Sequence, residues 1–110
     1  MYQPTEIVML PFPFTDLSSI KKRPVLVMTQ ADNRGDMLVA QITSKSGYLD
    51  AVPIVASDVL QGVLPKVSFI RSTKIMTVNQ SLVVGRFGRI TLLKFNELKQ
   101  RVCVHVGCVD

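Results

Sequence analysis

Arg23 stands at the entrance of an apolar strand, Pro24-Val25-Leu26-Val27, and is preceded by Lys21-Lys22 and by the segment Pro11-Phe12-Pro13-Phe14-Thr15-Asp16. A cation delivered to that position faces a substrate rather than bulk water. Other chemistries are poorly supplied. Cys103, His105 and Cys108 form a Cys-x-His-x-x-Cys triplet that could be drawn as three metal ligands, but a structural zinc site takes four, and the chain has one histidine and two cysteines in all. Two reduced thiols and a helix-terminal histidine are therefore expected, with no metal and no cofactor. The same scarcity leaves His105 as the sole imidazole base for any nucleophile–histidine scheme, far from an obvious strand-end site. Neither a G-x-x-x-x-G-K-[ST] nor a G-x-G-x-x-G loop is present to cradle a phosphate.

The elements that must position Arg23 fit one domain, residues 1–110: the chain has 110 residues and is 47% hydrophobic. Thirteen Lys+Arg against eight Asp+Glu give a formal charge of +5, an excess that favours a polyanionic partner. No apolar run is long enough to cross a bilayer and the N-terminus lacks signal-peptide character, so no membrane is expected and the cytoplasm is the default compartment. Glu6 to Pro11 reads as a short strand near an edge, because Pro11 and Pro13 remove backbone donors. Thr15 to Lys22 reads as a loop, Pro24 to Thr29 as a second strand, and Met37 to Ile42 as a third, joined to the second by the turn Ala31 to Asp36. Ala51 to Val55 is a fourth strand held to an edge by Pro53.

Val59 to Pro65 reads as a connection, with one helical turn from Ser57. Val67 to Ile70 and Lys74 to Val78 flank Arg71-Ser72-Thr73, and Leu82 to Phe87 is a last strand with Gly85 as a bulge or close approach. After Gly88 the period changes: Thr91 is an N-cap, Leu92, Phe95, Leu98 and Val102 recur at helical spacing, and Gly107 stops the helix. The pattern predicts a mainly β fold, a small, strongly bent barrel of short antiparallel strands with a C-terminal amphipathic helix.

The order of these pieces resembles one known family. An apolar strand, the Phe-Pro-Phe-Thr-Asp loop, Arg23-Pro24-Val25-Leu26-Val27, Gln41-Ile42-Thr43-Ser44, Gly62-Val63-Leu64-Pro65-Lys66-Val67-Ser68 and Val84-Gly85-Arg86-Phe87-Gly88-Arg89-Ile90 before a helix are similar to the PemK/MazF-like toxins of type II toxin–antitoxin modules. The resemblance covers nearly the whole chain. It implies an SH3-like barrel, a homodimer, and metal-independent, sequence-specific cleavage of single-stranded RNA to 2′,3′-cyclic phosphate and 5′-hydroxyl ends, restrained by a cognate antitoxin protein. It also implies that Arg23 and Thr43 are the principal catalytic pair and that Arg71 is the second arginine, donating a proton to the leaving group. Two departures stand out: Leu17 to Lys22 carries no glutamate, although Asp16 is nearby, and Thr73 stands where some members have an aspartate.

The chemistry can be argued beside the family. RNA carries its own nucleophile, so the protein must activate the 2′-OH, stabilise charge on the phosphate and help the 5′-oxygen leave. The guanidinium of Arg23 suits the second task because its planar fork matches two phosphate oxygens. Thr43 would hold the phosphate by its hydroxyl, or simply satisfy a strand-end backbone group. Arg71 reads as a phosphate contact or as half of a structural ion pair. Lys21, Lys22, Lys45 and Lys74 form either a phosphate-tracking groove or a solubilising face. Phe14 either packs in the core or stacks on a base, and Asp16 and Ser44 complete the expected RNA-contacting set. Two other outcomes fit the same barrel: a non-catalytic toxin that binds a protein such as gyrase, and a degenerate member that binds RNA without cutting it.

Overall fold

The structure, a computed structural model, describes residues 1–13 and 20–108, with the side chains of residues 12, 13 and 20 excepted. Its strands are β1 (Glu6–Pro13), β2 (Ile20–Val27), β3 (Asp36–Thr43), β4 (Ala51–Ile54), β5 (Val59–Leu60), β6 (Ser68–Asn79) and β7 (Gly85–Ile90), followed by helix α1 (Leu92–Val106). They form one antiparallel sheet in the order β4-β6-β3-β2-β1-β7-β5. The two edge strands are consecutive in the chain. Between Ile54 and Val59 lie only residues 55–58, which at roughly 3.5 Å per residue span less than about 20 Å, so the sheet must curl until its edges nearly meet. The result is a nearly closed barrel, mainly β, with one C-terminal helix.

The apolar alternation of the strands builds two clusters on the two faces of the bent sheet. Ile7, Leu26, Ala40, Ile42, Val52, Ile54, Ile70 and Ile90 pack with Phe95 and Leu98 of α1. Val8, Leu10, Val25, Val27, Met37 and Val39 form the second cluster. A strand that contributes to both faces reads as continuously apolar, as Val25-Leu26-Val27 does.

Several elements correct the sequence expectation. β1 is central rather than at an edge, pairing with both β2 and β7. Its prolines are tolerated because the β7 ladder ends at Met9, so Pro11 and Pro13 lie where β1 has a partner on one side only. β2 begins at Ile20, inside the segment expected to be a loop. The segments around Arg71-Ser72-Thr73 are one strand, β6, whose polar middle is satisfied by Asp50: the Ser72 hydroxyl and amide donate to the Asp50 carbonyl at 2.6 and 3.2 Å. β7 starts at Gly85, three residues later than expected, after a 3-10 turn at Gln80–Leu82 capped by the Asn79 side chain.

The helix boundaries follow the expected signals. The Thr91 hydroxyl accepts from the Lys94 amide at 3.3 Å, and Gly107 adopts φ 78°. Phe95 and Leu98 are buried, whereas Leu92 stays exposed. The left-handed glycine folds the chain back so that the Cys108 amide donates to the Cys103 carbonyl at 3.0 Å, the Schellman pattern that sets the residue after the glycine over the last turn. Here those two residues are the cysteines. They are joined as a disulfide rather than left as two reduced thiols.

Candidate active site

A cavity of about 310 Å³ opens between the β1–β2–β3 ladder on one side and residues 61–67 with β7 on the other. Its floor is apolar, made by Ile7, Met9, Ile42, Ile54, Leu64 and Phe87, and its polar lining is Lys22, Arg23, Thr43, Ser44, Lys66 and Ser68. The ladder explains why Arg23 and Thr43 meet. The β2–β3 ladder ends at Val25 and Gln41, and Arg23 and Thr43 each lie two residues beyond that last pair on the neighbouring strands, where both line the cavity. Neighbouring strands lie roughly 5 Å apart, near enough for a guanidinium on one and a hydroxyl on the next to hold one small anion.

The Thr43 hydroxyl oxygen accepts from the Lys45 amide at 3.1 Å, a short turn that holds its rotamer and does not use the hydroxyl proton. Ser44 follows on the same wall. Among the described residues that line the cavity there are three cations, three hydroxyls, no carboxylate and no imidazole. A dianionic phosphorus centre matches that composition better than a cationic or neutral substrate does.

The opposite wall is built by a close backbone crossing. A Cβ at Gly62 would overlap the Phe87 carbonyl oxygen, and one at Gly88 would stand 2.9 Å from the Leu60 carbonyl. Glycine at both positions lets residues 60–62 lie directly on β7, which presents Leu64, Pro65 and Lys66 to the cavity. Ser68, itself buried, donates its hydroxyl to the Lys66 carbonyl at 3.2 Å.

Arg71 is not among these lining residues. Its guanidinium donates to the two Asp50 carboxylate oxygens at 3.3 and 3.4 Å and lies 3.8 Å over the ring of Tyr48. Thr73 joins the same carboxylate with its hydroxyl at 2.5 Å and its amide at 3.3 Å. The Thr73 hydroxyl, with Arg71 beside it, holds the Asp50 carboxyl well below the usual carboxylate range, at about 2. A carboxylate thus does face Arg71, but it comes from residue 50 rather than from position 73.

Of the other expected contacts, Lys22 and Ser44 line the cavity, whereas Lys21, Lys45 and Lys74 are exposed and do not. Phe14 and Asp16 lie outside the described residues. Lys66 and Ser68 were not expected as site residues. Their segment carries Gly62 and Pro65, which signal a connection, but only closure of the barrel reveals that the connection is a wall.

Residues 3–106 match the model of the PemK-like, MazF-like toxins of type II toxin–antitoxin systems. The chain belongs to this family. Among solved structures, it is similar to MazE-MazF from Deinococcus radiodurans (TM-score 0.79, 18% identity, 96% of each chain covered). It is also similar to an endoribonuclease in complex with its cognate antitoxin from a mycobacterial species (TM-score 0.72, 17% identity, 97% of this chain and 96% of that one). A third is the Mycobacterium tuberculosis toxin MazF-mt6 (TM-score 0.69, 20% identity, 93% of this chain and 96% of that one). At these identities the likeness establishes the MazF fold. No curated protein sequence matches the chain.

Proposed function

We propose that this MazF-family toxin is an endoribonuclease that cleaves single-stranded RNA without a metal, at a preferred sequence, leaving 2′,3′-cyclic phosphate and 5′-hydroxyl ends. The observation that carries the reading is that Arg23 and Thr43, from the adjacent strands β2 and β3, line one cavity with other cations and hydroxyls. The 2′-oxygen attacks phosphorus, the P–O5′ bond breaks, and negative charge gathers on the two non-bridging oxygens. Arg23 meets those oxygens with a forked guanidinium and Thr43 donates one further hydrogen bond, so both contacts strengthen as charge builds up. The apolar floor lowers the local polarity in which they act.

Arg71 has a different part in this account. With Asp50 and Tyr48 occupying it, the guanidinium serves as a structural clamp between β6 and the segment before β4, not as a proton donor. Lys22 and Ser44 contact the RNA backbone at the cavity, with Lys21, Lys45 and Lys74 as outlying charges. A cognate antitoxin restrains the toxin by covering this basic surface, and the toxin works as a homodimer in the cytoplasm. Leu92 and Leu93, 71% and 81% exposed at the start of α1, are apolar surface suited to such partners.

Among the described residues the lining holds no carboxylate or imidazole, which also favours a second reading, in which the chain binds RNA and does not cut it. A chimeric RNA with one 2′-deoxynucleotide at the cleaved position tests the first. Cleavage in EDTA of the all-ribose strand, abolished by that single deoxy substitution, is the expected result; saturable binding with no product under single-turnover conditions supports the second.

A further inference from the structure

Resting on the cleavage reading, Arg23 and Thr43 answer for the charge on phosphorus, and the described lining still has to supply the protonation of the 5′-oxygen, which departs as an alkoxide unless a proton reaches it. The usual donors are elsewhere. His105 lies in the exposed last turn of α1, Glu6 is paired with Arg86 at 3.0 Å outside the cavity, and Asp50 is held by Arg71 and Thr73. Among the described lining residues, the groups able to give up a proton to an alkoxide are Lys22, Arg23 and Lys66.

Geometry separates these three. In an in-line displacement the attacking and leaving oxygens lie on opposite sides of phosphorus, while the non-bridging oxygens lie between them. Arg23 and Thr43 hold the non-bridging oxygens from the β2–β3 wall, and Lys22 is the neighbour of Arg23 on that same strand. Lys66 comes from the facing wall. That wall is fixed before substrate arrives: the Gly62–Gly88 crossing seats it on β7, Pro65 restricts the backbone just ahead of the lysine, and the Ser68 hydroxyl binds the Lys66 carbonyl at 3.2 Å. A lysine ammonium is also the better acid, by roughly two or more pH units, than a guanidinium.

We propose that Lys66 is a catalytic residue, the general acid that protonates the leaving 5′-oxygen. The 2′-O–P bond forms as the P–O5′ bond breaks. The Lys66 ammonium passes one proton to O5′ to give the 5′-hydroxyl, the 2′-hydroxyl proton goes to water, and the neutral amine takes a proton back from solvent.

The test compares an ordinary RNA with one whose scissile 5′-oxygen is replaced by sulfur, since a thiolate leaves without protonation. Lys66→Ala, Lys66→Met and Lys22→Ala are assayed on both, with thermal melts to verify folding. For the Lys66 variants, the expected loss is about 10²-fold or more on the oxygen substrate and only a few-fold on the sulfur substrate. Equal loss on both substrates would overturn the proposal, showing Lys66 to be a binding charge; so would no loss on either, or rescue of Lys22→Ala in its place. If the wild type cleaves the sulfur RNA but not the ordinary one, or cleaves neither, the cleavage reading itself fails; if the wild type cleaves both and the Lys66 variants are not rescued, only the assignment of Lys66 fails.

Discussion

At the scale of single residues, Arg23 and Arg71 are set apart by their place in the barrel. Arg23 lines the cavity that Thr43 also lines, while Arg71 is not among the lining residues and meets a carboxylate and a ring. Arg23→Ala is expected to lower single-turnover RNA cleavage by about 10²–10³-fold, the scale of losing one preorganised charge-stabilising donor. Thr43→Val should cost about tenfold, one hydrogen bond's worth. Arg71→Ala should instead lower thermal stability, by about 1–3 kcal/mol, because it leaves a mostly buried carboxylate with fewer donors; its cleavage rate per folded molecule should change little. Asp50 gives the clamp a pH signature. Its carboxyl is held at about 2 when folded, so its contribution to stability is present above pH ~4 and is lost as the pH falls from about 4 to about 2. Melting temperatures across that range should drop less steeply for Asp50→Asn than for the wild type. Arg23 was legible in the sequence because a cation before a proline and an apolar run is a local signal. The partner of Arg71 was not legible, since Asp50 lies 21 residues away and local sequence offers only Thr73.

At the scale of elements, the wall formed by residues 61–67 is the feature on which the site depends. Gly62→Ala should drive a methyl group into the Phe87 carbonyl, costing about 1–3 kcal/mol and shifting Lys66, with cleavage falling at least tenfold. Gly85→Ala is the matching control: nothing lies within 4 Å of a Cβ there, and stability should hold within about 0.5 kcal/mol. Thermal melts and initial rates on both variants check the pair. The helix was readable to the residue because its N-cap and left-handed stop are chemical signals within the sequence. β5, two residues long, carried no period to detect, and the Cys108–Cys103 contact followed from the helix stop only once its backbone geometry was known. β1 was misplaced to an edge because a proline's tolerance depends on which side of a strand has a neighbour, and that is a property of the sheet.

At the scale of the molecule, a barrel closed by residues 55–58 brings Lys22 and Arg23 on one wall and Lys66 on the facing wall into one concavity. If Lys22, Arg23 and Lys66 each meet a phosphate, RNA affinity should fall with salt at a log–log slope of about −2, near −0.7 per contact on a single strand, and each charge removed should reduce it accordingly. No helix among the described residues is long and apolar enough to cross a membrane. The family and its barrel were legible in the order of the motifs; the identity of the facing wall needed the closed fold. The central claim is that this cavity cuts RNA through its own 2′-hydroxyl. Incubating the purified chain with a defined single-stranded RNA in EDTA and mapping the product ends by mass spectrometry tests it most directly. The account predicts 2′,3′-cyclic phosphate and 5′-hydroxyl ends that disappear with Arg23→Ala; 3′-hydroxyl and 5′-phosphate ends, or undiminished cleavage by Arg23→Ala, would contradict it.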